Sequence, residues 1–285
     1  MNDWHLRYAP HLGYRPPFEP LFKGLVASDD LVDHVAFAAD QGFAGVCHPA
    51  ARGRSPHEQE RLGRALARHG MEAGCVLYTG FDQLRNTSWA TRGEEARAWI
   101  AGELREAIAA AKRVGSRRLA VLAGADPMQP LALQRAAMAE HLRWAGDLAA
   151  QAGMTLCLET LSRKSIPGML LQHVPDAHAV ARAADHPAVR VIFDTSHVQI
   201  MDGDLLFHLD QVWDRVEIVQ LADNPGRFEP GTGEINFESV LRALSHRGYR
   251  GLVELEHGWA SPGIDSERRG LETLRRLDAA ACRPP

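Results

Sequence analysis

Four short apolar runs decide the reading of this chain: MTLCLE (154–159), VRVIFD (189–194), VEIVQ (216–220) and LVELE (252–256). Each is dense in Val, Leu or Ile, as a strand buried on both faces must be. Each also ends on a side chain that carries oxygen: Glu159, Asp194, Gln220 and Glu256. Working outward, glycine often stands where a helical run gives way to an apolar one, at Gln41-Gly42-Phe43, His69-Gly70-Met71, Ala152-Gly153-Met154 and Arg247-Gly248-Tyr249. A glycine just past a helix takes the left-handed conformation that ends it. Gly115 fits the same role after the run that ends at Val114.

Extending this beat predicts eight strands, over 6–12, 44–48, 72–78, 118–122, 154–159, 189–194, 216–221 and 252–257. Helices are predicted over Asp29–Gln41, His57–His69, Gly93–Val114, Gln129–Ala152, Asp176–Ala184, Phe237–His246 and Ser266–Ala279. Strict alternation of strand and helix points to a parallel α/β sheet. An open doubly wound sheet is the rival, but its nucleotide-binding form carries a Gly-rich turn after the first strand. Here that stretch reads HLGYRPPFEP (11–20). The expectation is a single (β/α)₈ barrel, a TIM barrel, spanning residues 1–285 as one domain, a common length for that fold.

The composition narrows the function. The chain has 285 residues, of which 45% are hydrophobic, enough for a sizeable core. Its formal net charge is −4 with the two signs interspersed, which disfavours a nucleic-acid partner. The four cysteines, at 47, 75, 157 and 282, form no CxxC pair, and Cys47, Cys75 and Cys157 read as reduced core residues. No apolar run reaches membrane-spanning length, and MNDWHLRYAPHLGY lacks the pattern of a signal peptide. A cytoplasmic enzyme with a small-molecule partner is expected, with homo-oligomerisation left open.

Active sites of such barrels lie at the C-terminal ends of the strands. One acid there is often only a helix cap. Four oxygen-bearing residues on four consecutive strands are harder to explain that way. Carboxylates buried together repel unless a cation joins them. Three carboxylates and one amide oxygen form a hard set that suits Mg²⁺ or Mn²⁺. His197, three residues after Asp194, is a candidate donor to substrate. Arg227, in the turn-rich loop DNPGRFEPGTGE (223–234), could grip a carboxylate through two parallel hydrogen bonds.

The segments IFDTSHVQIMDGDL (192–205), IVQLADNPGRFEPGTGEINF (218–237) and GYRGLVELEH (248–257) resemble the hydroxypyruvate isomerase family, within the xylose-isomerase-like group of sugar isomerases and epimerases. The match is densest over about 154–258. The resemblance implies Glu159, Asp194, Gln220 and Glu256 as metal ligands, Glu159 and Glu256 as the acid/base pair, and His197 and Arg227 as substrate contacts. The chain also departs from the family. Cys47-His48-Pro49 stands where the family carries a glutamate, and His257-Gly258-Trp259 replaces aromatic, basic, proline. Glu254 occupies a position where the family has a small residue, which makes it a rival fourth ligand. These changes suggest His48 and His257 as further substrate contacts and a substrate larger than hydroxypyruvate. The implied reaction is enediolate proton transfer in a hydroxy-carbonyl compound. The alternatives are a ketose 3-epimerase or an enzyme of oxidised glycosides on the same site, an endonuclease of the wider group, and a non-catalytic sugar-binding barrel.

Overall fold

The computed structural model describes residues 4–281. Cys282 lies outside that range. The strands are β1 (Arg7–Pro10), β2 (Gly45–Val46), β3 (Glu72–Ala73), β4 (Val76–Leu77), β5 (Arg118–Val121), β6 (Thr155–Leu158), β7 (Val189–Asp194), β8 (Val216–Leu221) and β9 (Leu252–Leu255). All pair in parallel, and the main sheet has the order β1-β9-β8-β7-β6-β5-β4. β2 and β3 form their own parallel pair. Parallel bridges His11–Cys47 and Ala73–Ser116 join that pair to the chain around β1 and β5, so the sheet curls into a TIM barrel.

β3 and β4 replace the single strand expected over 72–78. The break falls at Gly74-Cys75, and its cause lies across the barrel. The Cys75 N–H leaves the ladder and donates to Glu254 Oε1 at 2.7 Å. A Cβ on Gly74 would lie 2.4 Å from that same oxygen, so only glycine lets the carboxylate in.

The helices are α1 (Lys23–Val26), α2 (Leu31–Asp40), α3 (Pro56–His69), α4 (Glu94–Val114), α5 (Leu131–Gln151), α6 (Val174–Ala184), α7 (Thr195–Met201), α8 (Leu205–Val212), α9 (Phe237–His246) and α10 (Ile264–Ala281). Seven sit where expected, and the five helix-ending glycines all have positive φ, between 63° and 81°. The short helices α1, α7 and α8 are additions to the sequence reading. α7 begins directly off β7 because the Asp194 carboxylate caps it, accepting from the His197 N–H at 3.0 Å.

The alternation of side chains along the strands separates two cores. Leu119, Val121, Leu156, Leu158, Val191, Phe193, Val219, Leu221, Val253 and Leu255 pack outward with helix residues such as Ile100, Leu104, Met138 and Leu142. Ala120, Leu122, Cys157, Ile192 and Ile218 form a separate cluster inside the barrel. Continuing the period of two, the inward positions at the C-terminal end are those of residues 159, 194, 220, 254 and 256.

Candidate active site

Glu159 follows β6, Asp194 ends β7, Gln220 lies in the last turn of pleat of β8, and Glu256 follows β9. In register, Asp194 stands opposite Gln220 and Gln220 opposite Glu254. All five are buried. The mouth above them opens into a cavity of about 650 Å³, lined by Glu159, His197, Arg227 and Glu256 among others. Asp194 and Gln220 lie beneath these lining residues.

Arg227 is the cation of the floor. Its Nη1 donates to Asp194 Oδ1 at 3.1 Å, and its Nη2 to Asp194 Oδ2 at 2.7 Å and to Glu256 Oε2 at 2.6 Å. Burial pushes the Asp194 carboxyl up, but Arg227 and His197 outweigh it and hold the group below its usual value. Burial also raises Glu256, to about 8, with Asp194 and Glu254 adding to the rise and Arg227 opposing it. Glu159 is pushed well above the carboxylate range, first by burial and then by Glu256 and Asp194. Its carboxylate has no hydrogen-bond partner among the described residues. One guanidinium thus serves two acids, and the third lacks a counter-charge.

Two further observations bear on a metal ion. Gln220 Oε1 is buried with no hydrogen-bond partner, because the amide nitrogen takes the protein contacts: Glu254 Oε2 at 3.1 Å and Glu256 Oε1 at 3.3 Å. A buried carbonyl oxygen without a donor is costly, and a cation would satisfy it. Ligand atoms of Glu159, Asp194 and His197 also lie within 4.8 Å of one another, close enough to share one ion. Within that trio the imidazole is better suited to donate than to ligate. Its Nδ1 accepts the backbone N–H of Ser162 at 3.2 Å. The neutral ring therefore carries its proton on Nε2. Burial lowers the His197 pKa to about 4, which keeps the ring neutral.

Glu254 is tied down within the barrel. Besides the Cys75 N–H, its carboxylate accepts from Gln220 Nε2 at 3.1 Å and the Cys75 thiol at 3.2 Å. It holds the amide of Gln220 by its nitrogen, which leaves Oε1 without a partner. Burial raises the Cys75 thiol well above its usual range. Cys47, Cys75 and Cys157 are all free and buried.

Several residues that build the site escape the sequence reading. Asp223 organises the loop that carries Arg227. Its carboxylate accepts from four backbone N–H groups, those of Asn224, Gly231, Gly233 and Ile235, at 2.8–3.1 Å. A Cβ on Gly233 would lie 1.9 Å from the Asn224 carbonyl oxygen, so the loop closes only with glycine there. Arg227 itself has φ of 58°, unusual for a residue with a side chain. Asn224 ties the loop to α7 through Ser196: its Nδ2 donates to the Ser196 carbonyl, and the Ser196 hydroxyl donates to its Oδ1, both at 2.8 Å. Tyr14, in the loop after β1, lines the cavity, and the Arg227 guanidinium lies 5.5 Å from its ring centre. An aspartate heading a loop rich in Gly, Asn and Pro is a signal that could have revealed Asp223. Nothing in the sequence marks Tyr14.

His48 and His257 do not line the cavity. His48 Nδ1 lies 3.2 Å from the Gly13 carbonyl, and His257 Nδ1 lies 2.9 Å from the Gly258 carbonyl, with the ring edge-on to Trp259. Burial lowers both to about 4, so both rings are neutral. They brace the wall from behind.

Fold and floor together define a TIM barrel with clustered acids at its C-terminal mouth. The chain belongs to the xylose isomerase-like TIM barrel family, whose sequence profile matches residues 35–277. A hydroxypyruvate isomerase of Escherichia coli is 32% identical over 177 residues, which cover 59% of this chain and 68% of that protein. A 2-oxo-tetronate isomerase of Cupriavidus necator is 29% identical over 172 residues, covering 56% and 66%. The chain thus spans about two thirds of the length of these relatives. Among solved structures, an AP endonuclease of family 2 from Brucella melitensis superimposes with a TM-score of 0.79 at 24% identity, covering 95% of this chain and 99% of that one. At that identity the likeness speaks for the fold alone. No helix among the described residues is long and apolar enough to cross a membrane.

Proposed function

We propose that this barrel, acting as one unit over residues 1–285, is a divalent-metal-dependent isomerase. Its substrate is a hydroxy-carbonyl compound of the hydroxypyruvate and tartronate semialdehyde type, or a larger keto acid or sugar. The observation that carries this reading is the pair Glu159 and Glu256. Both carboxyls line one cavity, and burial drives both toward holding a proton. Isomerisation moves a proton between adjacent carbons, and two such groups can take it from one and return it to the other. The names of the two relatives agree with this class of reaction.

Mg²⁺ or Mn²⁺ held by Glu159, Asp194, Gln220 and Glu256 would supply Lewis-acid stabilisation of the charge developing on the substrate oxygens. The free oxygen of Gln220 and the unpartnered carboxyl of Glu159, which a cation would favour as the carboxylate, fit that ion. The His197 Nε2–H, fixed by Ser162, donates to a substrate oxygen as it becomes negative. Arg227 keeps Asp194 and Glu256 in place. Gripping a substrate carboxylate as well would require it to release one of these partners.

The test is incubation of the Mn²⁺-loaded protein with candidate substrates in D₂O, followed by NMR. Constitutional isomers with deuterium on the adjacent carbon support the reading. Interconversion without label would exclude proton exchange with Glu159 and Glu256. The size of the cavity favours one second reading, a 3-epimerase or keto-glycoside enzyme on the same site. An epimer would then accumulate in the same spectra.

A further inference from the structure

The cavity has a floor and a rim, and the two differ in charge. At the floor every acid except Glu159 is engaged, and the one guanidinium, Arg227, is occupied by Asp194 and Glu256. Above it the wall is apolar, built from residues such as Leu77, Leu84, Leu122, Leu161, Ile166 and Ile200. Three more cations line the cavity from the loops above: Arg15 after β1, Arg85 after β4 and Lys164 after β6. None of the three has a side-chain hydrogen bond or ion pair among the described residues. Arg15 only lies over the Tyr14 ring, at 5.1 Å. Asp82 is the one acid that lines the cavity outside the floor, and its carboxylate accepts from the side chain of Gln83.

These cations stand on an ordered rim. The Gly124 N–H donates to the Asn86 carbonyl at 3.0 Å, and the Ala125 N–H to the Gly168 carbonyl at 2.8 Å. Those bonds stitch the loops of Arg85 and Lys164 to the chain after β5. A Cβ on Gly124 would lie 2.0 Å from the Arg85 carbonyl oxygen, which shows how closely the backbones meet. Phe18 and Phe81 pack edge to face at 5.5 Å and join the loop of Arg15 to the same group. Gly258 leaves its side open, and Arg15 Nη2 lies 3.7 Å from where a Cβ there would stand.

A cavity of about 650 Å³ is within the range that takes drug-sized ligands, and a three-carbon acid leaves most of it empty. Unpaired cations that converge on one cavity from three loops lower the cost of placing an anion between them. We propose that the substrate has four or more carbons, with its hydroxy-carbonyl end at Glu159 and Glu256. Its far end carries an anionic group, a carboxylate or a phosphate ester, held by Arg15, Arg85 and Lys164. The proposal rests on the isomerase reading for the chemistry of the near end and on the rim for the far end.

The test is a matched set of hydroxy-carbonyl compounds of equal length whose tails end in hydroxymethyl, carboxylate or phosphate. Each is assayed with the Mn²⁺-loaded protein, and hydroxypyruvate serves as the short member. An anionic tail is expected to raise kcat/KM by roughly tenfold or more over the neutral tail, the scale of one charge-assisted hydrogen bond. In the Arg85→Ala, Lys164→Ala double variant the ratio of anionic to neutral tail should fall toward one, and raised salt should lower it in the native protein. The carboxylate and phosphate arms tell which anion is preferred. Calorimetric binding of the corresponding unreactive polyols, with the same three tails, reads the tail preference without turnover. Equal binding and equal rates for all tails would overturn the proposal, as would fastest turnover of hydroxypyruvate. Retained tail preference with no turnover and no deuterium exchange would refute the isomerase reading and leave the anionic far end standing.

Discussion

Replacing Glu254 by glutamine changes one oxygen to an amide nitrogen at the floor of the barrel and leaves the shape of the side chain almost intact. The carboxylate accepts three bonds, from the Cys75 N–H, the Cys75 thiol and Gln220 Nε2. The amide retains one acceptor, which the Cys75 N–H can keep. Its NH₂ then faces two donors. A buried donor left unpaired costs roughly 1–3 kcal/mol, so the substitution should destabilise the protein by about 2 kcal/mol or more. Gln220 can recover one bond by turning its amide over, so that its oxygen accepts from the new NH₂. That rotation engages the free Oε1 and takes away the N–H that Glu256 now accepts. Changing a group that orients a metal ligand typically lowers metal affinity about 10- to 100-fold, and that is the expected loss for Mn²⁺. A domain with ~5–15 kcal/mol of stability tolerates the change and remains folded. Calorimetric titration with Mn²⁺ and a thermal melt of the metal-free variant measure the two effects separately. Native affinity together with a native melting curve would show that Glu254 does not set the orientation of Gln220.

Chelation should abolish turnover, and free Mg²⁺ or Mn²⁺ at about 100 times its Kd should stabilise the native state by about 2.7 kcal/mol, read as a shift of the melting curve. Unchanged activity after chelator treatment, with metal content verified, would remove the metal from the reaction. Glu159→Gln and Glu256→Gln should each lower kcat by about a hundredfold or more, because the amide cannot carry the proton. Metal occupancy must be measured beside the rate, and a metal-loaded Glu256→Gln enzyme with near-normal kcat would refute Glu256 as a proton carrier. Asp223→Ala leaves four backbone N–H groups without their acceptor, at roughly 1 kcal/mol or more each, and frees the loop that carries Arg227. Limited proteolysis should then cut within 223–235 faster than in the native protein, and equal cutting rates would count against this account of the loop.

How much of this was legible in the sequence follows from which features are local. The barrel rests on apolar runs, amphipathic helices and helix-ending glycines, all of which are written within a few neighbouring residues. The inward carboxylates rest on the period of two along each strand, which is local as well. The same period also accounts for the two histidines that stay out of the cavity. Val253 and Leu255 pack outward and Glu254 and Glu256 inward, so His257 continues the outward series and belongs behind the wall. Likewise Val46 packs outward, and His48 follows it by two. Nearness along the chain to Glu256 points to His257, whereas parity along the strand places it on the outer side, and it is absent from the cavity lining. What was not legible depends on long-range closure. Tyr14 reaches Arg227 across most of the sequence, and Glu254 finds its donor at Cys75 on the far side of the barrel. That second contact breaks the strand expected over 72–78. The strand, the glycine that permits the break and the carboxylate that causes it lie on different elements, so no single stretch of sequence contains the reason.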